Sequence, residues 1–364
     1  MKIFVTGTRG LPDIAGGVEK HCQELYPRIA LKGHDIYVST RSTYVKTKVK
    51  SFNGVRLLNV YAPVRKSFEA IIHTFLSVLK AKRLEPDIIH IHAVGPGLIV
   101  PLAKLLGFKV VVTNHGPDYD RGKWGRSAKV MLKFGEYLGG KFADQVIVIS
   151  ETIRNIIKNR CKRESCLIYN GVNLPKKDYG TVYLEKYGLN KKKYILAVAR
   201  LVPEKGLHLL IQAFQKLRTD EYKLVIAGDA DHESGYSRKL KQTISDNENI
   251  IGTGYITGDE LNQIYSNAGL FVLPSFHEGL PIALLEAMSY DLSVVVSDIP
   301  ANLEVNLDKN RYFKCGDADN LAEKIDYYLH YEENISYRKI IEEKYNWDLI
   351  ADQTIDLYKS ALKN

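Results

Sequence analysis

The stretch SFHEGLPIALLEAM, residues 275–288, holds two carboxylates, Glu278 and Glu286, around a candidate helix start. Pro281 suits the first position of a helix, because its missing N–H group would have no partner there. We therefore predict a helix that begins at Pro281, with Gly279 allowing a ligand to approach the backbone closely. The unpaired N–H groups and the positive dipole end of a helix N-terminus attract anions. This stretch suits a ligand that carries both phosphate groups and hydroxyls.

Two cations stand in a loop that follows a predicted strand, in AVARLVPEKG at residues 197–206. Arg200 can bond two phosphate oxygens through its planar guanidinium group, and Lys205 acts as a compact point charge. Together they suit a diphosphate, although Arg200 could instead pair with Glu204 on the surface. Gly228, after another predicted strand, could let a ring approach the backbone or could simply form a turn.

A glycine-rich loop near the N-terminus, GTRGLPDIAGGVEKH at residues 7–21, lies between a predicted strand and a predicted helix. Its glycines do not follow the G-x-G-x-x-G spacing, and the second predicted strand does not end in an acidic residue. These two departures argue against a nicotinamide-dependent enzyme. Gly16 and Gly17 immediately precede the helix and suit an anion cradle, with Glu19 in its first turn.

Histidines occur at the ends of two predicted strands. His115 follows KVVVTN and precedes a glycine, which places an imidazole at the carboxyl end of a strand. His90 and His92 share one face of another strand, and we interpret His90 as a core histidine with satisfied hydrogen bonds. The histidines and acids show neither an H-x-x-x-H pattern nor a paired-carboxylate spacing, so the sequence predicts no metal site. No G-x-S-x-G nucleophile motif occurs.

The composition is that of a globular protein, with 364 residues, 45% of them hydrophobic and 26% charged. This length suits two domains of about 150 to 200 residues each. The N-terminus does not resemble a signal peptide, and no apolar run reaches the roughly 18 residues of a membrane span. Four scattered cysteines without metal spacing favour free thiols. We therefore expect a cytoplasmic protein.

The elements that must position these residues are strands alternating with helices. The predicted strands are residues 2–7, 35–40, 55–60, 87–92, 109–115 and 144–150 in the first half, and residues 194–200, 222–228, 249–256, 270–275 and 293–298 in the second. Alternation of this kind indicates doubly wound parallel sheets in an α/β fold. Ligands of such sheets bind at the carboxyl ends of the strands, so we expect the site in a cleft between two domains.

The strand pattern restarts after residues 171–180, GVNLPKKDYG, whose Gly, Pro and Lys content predicts a linker. We therefore predict one domain at residues 1–174 and a second at residues 175–344. An amphipathic helix at about residues 345–364 has no strand after it. We expect this helix to pack back on the first domain, although it could instead cap the second.

The charge is unevenly distributed along the chain. Residues 1–174 carry 28 Lys and Arg against 13 Asp and Glu, a net charge of +15, whereas the remainder has a net charge of −6. A lysine-rich surface is one explanation, and contact with something anionic is another. Residues 66–83 and 120–142 mix basic with apolar and aromatic residues, as a helix on an anionic bilayer does. Two ordinary core-facing helices with solvated basic faces would also fit.

In order and spacing, these motifs resemble the retaining glycosyltransferases of family four. The resemblance rests on AVARLVPEKG, LVIAGD, GTGYIT and SFHEGLPIALLEAM in the second half, and on GTRGLPDIAGGVEKH and VTNHGPDYDRGKWG in the first. It covers nearly the whole chain. It implies the GT-B fold, in which two facing Rossmann-like domains enclose a central cleft.

The resemblance also implies a role for each candidate residue. The diphosphate of a UDP- or GDP-linked sugar would lie on Arg200, Lys205 and the helix N-terminus. Glu286 would hold the ribose hydroxyls, and Glu278 and His115 would bond the donor sugar. The implied catalytic residues are Arg200, Lys205, Glu278 and His115. The implied substrate-binding residues are Gly16, Gly17, Glu19, Asp118, Arg121, Lys123, Gly228, Tyr255, Ile256, Gly279, Leu280, Pro281 and Glu286.

Transferases of this family retain the anomeric configuration and use fixed cations and N–H groups to stabilise the leaving diphosphate. The resemblance therefore implies no cofactor and no metal. For the acceptor, the basic first half of the chain is the better guide: it predicts a glycan or lipid-diphosphate-linked acceptor of cell-surface polysaccharide synthesis, with Arg121 and Lys123 near its phosphates. A peripheral contact with an anionic membrane is expected, and a nucleic-acid partner is not, because no reader motif is present.

Two alternatives stay open on the sequence: a nucleotide-sugar epimerase of the same architecture, and a nucleotide-sugar-binding protein without catalysis. The intact set of Arg200, Lys205, Glu278 and Glu286 argues against the second. The sequence also departs from its relatives, which often have Phe-Gly where this chain has Leu280-Pro281. For that reason the donor sugar is not assigned.

Overall fold

A computed structural model describes residues 1–14, 16–45, 49–63, 68–120, 125–230, 233–331 and 334–363, with Asp120 described by its backbone alone. The chain divides into two units. The first contains Met1–Gly171 and Tyr345–Asn364, and the second contains Val172–Lys344. The division therefore falls within a few residues of the boundary expected after residue 174.

The strands of the described residues lie close to the predicted ones. In chain order they are β1 Lys2–Thr6, β2 Asp35–Arg41, β3 Ser51–Phe52, β4 Val55–Val60, β5 Ile88–His92, β6 Val110–Asn114, β7 Gln145–Val148, β8 Cys166–Leu167, β9 Tyr194–Val198, β10 Lys223–Ala227, β11 Ile250–Gly254, β12 Leu270–Leu273, β13 Val294–Ser297 and β14 Tyr312–Phe313. The two-residue strands β3, β8 and β14 are not among the predicted ones, because two residues are too few to show a pattern of apolar residues.

Helices connect most of these strands. In chain order they are α1 Gly17–Leu31, α2 Glu69–Ala81, α3 Val100–Leu105, α4 Arg126–Phe142, α5 Glu151–Cys161, α6 Val182–Lys186, α7 Leu207–Leu217, α8 Gly235–Ser245, α9 Gly258–Asn267, α10 Ile282–Ser289, α11 Pro300–Leu303, α12 Ala318–His330, α13 Arg338–Lys344 and α14 Trp347–Lys363. Short 3₁₀ helices lie at Pro96–Ile99, Asp118–Asp120, Pro203–Lys205 and Lys309–Arg311. None of the described helices has the length and hydrophobicity that would be needed to span a bilayer.

The sheet of the first unit has the strand order β3-β4-β2-β1-β5-β6-β7-β8. Its strands pair in parallel except at one edge, where β3 runs antiparallel to β4. The first sheet is therefore parallel apart from this two-residue edge strand, which the sequence did not predict. The turn between β3 and β4 is Asn53-Gly54, with φ of 43° and 83°. Such an Asn-Gly pair is the sequence signal of a tight hairpin.

The sheet of the second unit has the order β11-β10-β9-β12-β13-β14, with every pair parallel. In this sheet β12 and β13 are buried along their whole length, as are β5 and β6 of the first unit. Continuous apolar runs such as VVV produce this result because helices cover both faces of the sheet. The predicted doubly wound α/β class is confirmed.

The C-terminal helix α14 belongs to the core of the first unit. Trp347, Tyr358 and Ala361 of this helix lie in one buried cluster with Ile3 of β1 and Leu25 of α1. The helix therefore stabilises β1 and α1, the two elements that the glycine-rich loop connects, although it is distant from that loop in sequence. The free energy of this packing comes mainly from apolar burial.

The predicted start of α10 needs a correction of one residue. The helix begins at Ile282, and Pro281 is its N-cap, with φ of −79° and an extended ψ of 102°. The carbonyl of Pro281 accepts the N–H groups of Leu284 and Leu285 at 3.2 and 3.3 Å. A proline at the N-cap still costs no hydrogen bond, since the N-cap N–H has no partner within a helix.

Candidate active site

The second sheet has its topological switch point at β9. This strand lies between β10 and β12, so the loops that follow β9 and β12 leave the same sheet edge toward opposite faces. A crevice forms between such loops, and it is the usual ligand site of doubly wound sheets. Here the first loop carries Arg200 and Lys205, and the second carries Glu278.

Lys205 and Glu278 form an ion pair across these two loops. The Nζ atom of Lys205 lies 2.5 Å from Oε1 of Glu278, and the Ser275 hydroxyl donates to the same oxygen at 2.7 Å. The two side chains are only 19% and 9% exposed, which keeps the pair partly shielded from water. A shielded cation of this kind interacts more strongly with a phosphate than a fully solvated one does.

Gly206 is what lets the two loops approach each other. Its φ is +65°, and a Cβ atom there would lie 2.0 Å from the carbonyl oxygen of Pro274. The Phe276 N–H group also donates to the carbonyl of Glu204 at 2.9 Å. The backbone contacts therefore fix the spacing on which the Lys205–Glu278 pair depends.

Arg200 and Gly228 lie on neighbouring loops. Gly228 has a φ of +138°, and a Cβ atom there would lie 2.1 Å from the carbonyl oxygen of Ala199. The Leu201 N–H group donates to the carbonyl of Asp229 at 3.2 Å. The glycine is thus needed for packing of the two loops, which explains its presence without a ligand. Its predicted approach to a nucleotide stays a prediction.

The remaining candidates of the second unit differ in exposure. Tyr255 is 56% exposed after β11, whereas Ile256 is buried. Only the first of them offers much surface to a ligand. Leu280 and Pro281 are buried and Gly279 is half-buried, so their backbone would be what a ligand meets at the start of α10.

Glu286 projects from the second turn of α10 and is half-buried. The hydroxyl of Tyr265 donates to its Oε2 atom at 3.4 Å, and Tyr265 stacks on Tyr290 with ring centroids 4.9 Å apart. Burial raises the pKa of Tyr265 well above its usual value, and the Glu286 charge raises it further. The tyrosine is therefore a hydrogen-bond donor that orients an ionised Glu286.

In the first unit, Gly16 is the N-cap of α1 and Gly17 is its first residue. Gly16 has a φ of +143°, and a Cβ atom on it would lie 2.1 Å from Oε2 of Glu19. A Cβ atom on Gly17 would meet nothing within 4 Å, so the space beside it is open. The loop thus needs glycine at position 16, and Gly17 offers an unobstructed helix start.

Glu19 has a structural task in the glycine-rich loop. Its Oε1 atom accepts the N–H group of Arg9 at 3.0 Å and the hydroxyl of Thr8 at 3.4 Å, and the side chain is buried. The carboxylate therefore holds the loop that precedes α1. These contacts position the loop, and the predicted place of Glu19 among the substrate-binding residues stays a prediction.

His115 lies at the outer end of a buried hydrogen-bonded chain. Its Nε2 atom is 2.9 Å from Nδ1 of His92, and Nε2 of His92 is 2.5 Å from the hydroxyl of Tyr26. Tyr26 in turn contacts Nδ1 of His90 at 2.9 Å. His90 also bonds the hydroxyls of Tyr358 and Thr113, at 2.6 and 2.7 Å. Its interpretation as a satisfied core histidine agrees with these contacts.

Burial keeps these imidazoles in the neutral form. It lowers the pKa of His21 to about 4, with a hydrogen bond to Asn170 acting in the opposite direction, and the pKa of His90 to about 3. Burial, followed by the neighbouring imidazoles, also lowers the pKa values of His92 and His115 well below their usual value. At neutral pH each ring therefore has one N–H donor and one acceptor nitrogen.

This burial predicts an acid-sensitive first unit. The folded-state pKa of a buried histidine lies below the unfolded value of about 6.5, so its contribution to stability is complete above that pH and is lost as pH falls toward 4. Each such imidazole should lower the free energy of unfolding by about 1.4 kcal/mol per pH unit in this window. Urea unfolding at about pH 7.5, 5.5 and 4.5 would cover the range in which these histidines take up protons on unfolding. It would measure how steeply the free energy of unfolding depends on pH.

A matched pair of variants tests the origin of that slope. His73 is buried on α2, and burial followed by the charge of Arg41 lowers its pKa to about 3. Replacement His73→Leu should make the free energy of unfolding less dependent on pH. The same change at His330, which is exposed, should leave the pH dependence of the free energy of unfolding unchanged. A pH-independent free energy of unfolding in the wild-type chain would contradict the account.

Three candidates remain. Asp118 lies in the 3₁₀ helix Asp118–Asp120 beyond His115, is half-buried, and donates its N–H group to the Gly116 carbonyl at 2.9 Å. Arg121 and Lys123 lie outside the described residues. Their predicted place near an acceptor stays a prediction.

Sequence reasoning missed several residues that surround His115 in the first unit. Tyr26, His21 and Asn170 contact the imidazoles from distant parts of the chain, and His21 Nδ1 lies 2.9 Å from Oδ1 of Asn170. No local motif connects these positions.

The two halves of the chain match two glycosyltransferase models. Residues 15–176 match Glycosyltransferase Family 4, and residues 182–347 match Glycosyl transferases group 1. An uncharacterized glycosyltransferase of Methanocaldococcus jannaschii is 28% identical over 100% of this chain and 99% of its own length. The N,N'-diacetylbacillosaminyl-diphospho-undecaprenol alpha-1,3-N-acetylgalactosaminyltransferase of Campylobacter jejuni is 27% identical over 62% of this chain and 63% of its own length.

A solved structure supports the same assignment at the level of fold. The Anabaena protein HepE, determined in complex with UDP-glucose, superposes with a TM-score of 0.79 at 18% identity, over 99% of this chain and 100% of its own. Both units of the chain thus have the sheet architecture of the GT-B fold, and both have a matching family model. The chain belongs to the GT-B glycosyltransferases that join a Family 4 domain to a group 1 domain.

Proposed function

We propose that the protein is a retaining, metal-independent glycosyltransferase that moves a sugar from a UDP- or GDP-linked donor to a glycan or lipid-diphosphate-linked acceptor. The observation that carries the proposal is the Lys205–Glu278 pair, 2.5 Å apart, at the switch point of the second sheet and beside the start of α10. A cation, a carboxylate and a helix N-terminus in one place suit a ligand with a diphosphate and sugar hydroxyls.

Each residue has a distinct task in this proposal. Arg200 and Lys205 hold the diphosphate and stabilise the charge that develops on it as the bond to the sugar breaks. Glu278 accepts a hydrogen bond from the donor sugar while it orients Lys205. Glu286, oriented by Tyr265, accepts hydrogen bonds from the ribose hydroxyls. His115 and the Gly16–Gly17 helix start remain the predicted contacts of the first unit with the donor.

The reaction follows from these tasks. The bond between the anomeric carbon and the diphosphate oxygen breaks, and the acceptor oxygen forms a bond to the same face of the sugar. The acceptor's proton passes to the leaving phosphate, so the protein supplies no covalent nucleophile. Fixed cations and N–H groups act most strongly on the transition state, where the charge on the leaving group is largest.

The substrate classes are supported by the relatives. HepE was solved with UDP-glucose, and the Campylobacter relative is named for transfer to a diphospho-undecaprenol-linked sugar. Other relatives are named for O-antigen, capsular and teichuronic acid synthesis. We therefore place the proposed reaction in the synthesis of a surface polysaccharide.

Transfer should survive chelation by EDTA. Arg200 and Lys205 already supply the positive charge that a divalent ion would bring to the diphosphate. Within the described part of the chain, the convergent group of three potential metal ligands consists of histidines of the first unit. The initial rate should be the same with EDTA as with added Mg²⁺. A complete loss of rate that Mg²⁺ restores would contradict metal independence.

An exposed apolar surface on the first unit supports contact with a membrane. On α2 and its N-cap, exposed residues recur at helical spacing: Phe68, Ile72, Phe75 and Leu79 are 52, 36, 41 and 42% exposed. On α4, Val130, Phe134 and Tyr137 are 67, 54 and 37% exposed. Both helices pack on the 3₁₀ helix at Pro96–Ile99. We call these two stripes the α2–α4 surface.

Basic residues accompany the α2–α4 surface. Lys80, Lys82 and Arg83 lie at the end of α2, and Arg126, Lys129, Lys133 and Lys141 lie along α4. The exposed aromatic side chains favour membrane contact over ordinary core-facing helices with solvated basic faces. An anionic bilayer at the cytoplasmic face would cover the apolar stripes and attract the cations. Each Lys or Arg near such a surface contributes about 1 kcal/mol.

The protein should therefore sediment with anionic vesicles at low salt and lose most of that binding at high salt, since salt screens the attraction. Phe75→Asp and Phe134→Asp should each weaken binding at least about tenfold, because each removes apolar burial and adds a negative charge. Leu105→Asp is the matched control, because Leu105 is an exposed leucine of the first unit, 84% exposed, outside α2 and α4. Absence of binding to anionic vesicles at low salt would reject the membrane contact.

A thermal-shift screen tests the donor class. A nucleoside diphosphate sugar that binds the folded chain alone raises stability by RT ln(1 + [L]/Kd), which is about 2.7 kcal/mol at a concentration of 100 Kd. We expect UDP- or GDP-linked sugars to raise the Tm, and Lys205→Ala to abolish most of the shift. If no nucleoside diphosphate or its sugar raises the Tm of the wild-type chain, the proposed donor class is wrong.

A further inference from the structure

We propose that Glu136 of α4 is a positioning residue, which holds the turn that carries His115 in the orientation needed for contact with the donor sugar. The inference rests on the proposed function, in which His115 makes that contact. Glu136 is only 3% exposed. A buried carboxylate is unfavourable unless hydrogen-bond donors surround it, so the donors around Glu136 indicate what it does.

Three side chains donate hydrogen bonds to the Glu136 carboxylate. Nδ2 of Asn114 lies 3.0 Å from Oε1, and the hydroxyl of Tyr119 lies 3.3 and 3.2 Å from Oε1 and Oε2. Arg160 of α5 donates to Oε2 and also to the Tyr119 hydroxyl, at 2.8 Å. Burial, followed by the charge of Glu136, raises the pKa of Tyr119, so this hydroxyl keeps its proton at neutral pH.

Two of these donors stand at the two ends of one segment. Asn114 is the last residue of β6, immediately before His115, and Tyr119 lies in the 3₁₀ helix Asp118–Asp120. One carboxylate therefore holds residues 114–119 at both ends. An ion pair with Arg160 would by itself tie α4 to α5, and it would need neither of the other two donors.

The Asn114 amide extends this constraint to His115. Its Nδ2 atom donates to Glu136, and its Oδ1 atom accepts the N–H group of Gly116 at 2.9 Å. This second bond closes a turn with His115 in its middle, and Gly116 has a φ of +127°. An amide has one donor end and one acceptor end, so Glu136 and the Gly116 N–H group together fix which way it points.

The helix α4 holds Glu136 in a fixed place. A Cβ atom on Gly135 would lie 2.4 Å from the carbonyl oxygen of Val94, and one on Gly97 would lie 2.4 Å from the carbonyl oxygen of Gly135. The backbone of α4 thus packs directly on the segment that follows β5. Side chains on such rigid elements position a site more accurately than side chains on loops. Glu136 therefore fixes the His115 turn relative to the core.

Glu136→Gln should loosen this turn. The glutamine oxygen should stay with Arg160, the charged donor, so its NH₂ group would meet the NH₂ group of Asn114. If the Asn114 amide flips, its NH₂ group meets the Gly116 N–H group and that bond is lost instead. Asn114→Asp combined with Glu136→Gln removes the conflict, because the new carboxylate accepts from both the glutamine NH₂ group and the Gly116 N–H group.

Amide hydrogen exchange of Gly116, followed by NMR on the full chain, tests the contact without a sugar donor. We expect exchange in Glu136→Gln to be about 3- to 10-fold faster than in the wild type, the effect of weakening one hydrogen bond. Adding Asn114→Asp should restore most of the wild-type protection. Glu151→Gln is the matched control, because its ion pair with Arg154 is exposed, and Gly116 should exchange there as in the wild type.

Kinetics with the sugar donor tests whether Glu136 acts through His115. Glu136→Gln should lower kcat/KM for the donor about tenfold or more, since displacing a contact by about 1 Å can cost about 100-fold. His115→Ala should lower it at least as much. In the His115→Ala background, Glu136→Gln should add little, because no imidazole is left to position. A carboxylate that only stabilises the fold would give two independent effects that multiply.

Three results would overturn the proposal: wild-type exchange of Gly116 in folded Glu136→Gln, effects of Glu136→Gln and His115→Ala that multiply, or wild-type kcat/KM in His115→Ala. Urea unfolding verifies folding. If Glu136→Gln does not fold, Tyr119→Phe, which removes one donor and keeps the carboxylate, carries both tests. A wild-type chain that transfers no sugar would overturn the proposed function, whereas the exchange of Gly116 would still decide whether Glu136 holds the His115 turn.

Discussion

Replacement of Lys205 or Arg200 by alanine is expected to lower kcat at least about 100-fold, since one fixed charge-stabilising contact contributes about 3 kcal/mol to a transition state. In the proposed reaction both side chains meet the leaving diphosphate, whose charge grows as the bond to the sugar breaks. Loss of either contact should therefore affect the transition state more than the bound donor. KM should change much less than kcat.

The structure provides a control for this prediction. Lys216 on α7 is also ion-paired in the second unit, with Asp319, but its side chain is 45% exposed and lies outside the switch-point loops. Lys216→Ala should keep wild-type kcat. Urea unfolding would verify that Lys205→Ala, which leaves the partly shielded Glu278 without this cation, still folds. Near-wild-type kcat in both Lys205→Ala and Arg200→Ala would remove the diphosphate assignment.

The second large effect is expected at Glu286. Glu286→Ala should raise KM for the donor roughly 10- to 100-fold, because a hydrogen bond to a charged group is worth about 1.5 to 3 kcal/mol. The ribose does not react, so this contact is equally strong in the ground state and the transition state. Because loss of such a contact affects both states equally, kcat should stay within a few fold of the wild-type value.

Tyr265→Phe is the companion variant for Glu286. It removes the hydroxyl that lies 3.4 Å from Oε2 of Glu286 but keeps the stacking on Tyr290. It should raise KM less than Glu286→Ala does, since it changes the orientation of the carboxylate and not its presence. A Glu286→Ala enzyme with unchanged KM and a strongly reduced kcat would contradict the ribose assignment.

The sheets were predictable because their strands are long enough to show a pattern. The strands β6, β12 and β13 contain continuous apolar runs with buried side chains on both faces, so composition alone indicates a covered parallel strand. The edge strand β3 has only two residues, and its sole signal is the Asn53-Gly54 turn. The predicted start of α10 is one residue too early, because a proline fits both the N-cap and the position after it.

The site was predictable only where its residues are local in sequence. Lys205 and Glu278 each follow a strand, and the order of strands brings their loops together. The bonds of Glu19 to Thr8 and Arg9 were not predictable, because they depend on a loop path that no pattern specifies, and its predicted contact with substrate stays a prediction. The imidazoles of His21, His92 and His115 come together from α1, β5 and the segment after β6. Their distances arise from tertiary packing, and no spacing rule covers such a group.

The exposed apolar stripe of α2 could not be predicted from the sequence. The sequence of α2 is consistent with a core-facing helix, and only the structure separates the buried His73 and Val78 from the exposed Phe75 and Leu79. Periodicity identifies two apolar faces on such a helix but does not say which of them packs on the sheet. The assignment of faces required the tertiary structure.

The central claim is tested most directly by release of nucleoside diphosphate from a donor that binds, measured with and without a lipid-diphosphate-linked glycan acceptor. We predict acceptor-dependent release, with one sugar added to the acceptor for each nucleoside diphosphate formed, and loss of both in Lys205→Ala. Conversion of the donor into another nucleotide sugar without release would identify an epimerase and contradict the claim. A bound donor that stays unchanged with every acceptor would contradict it as well.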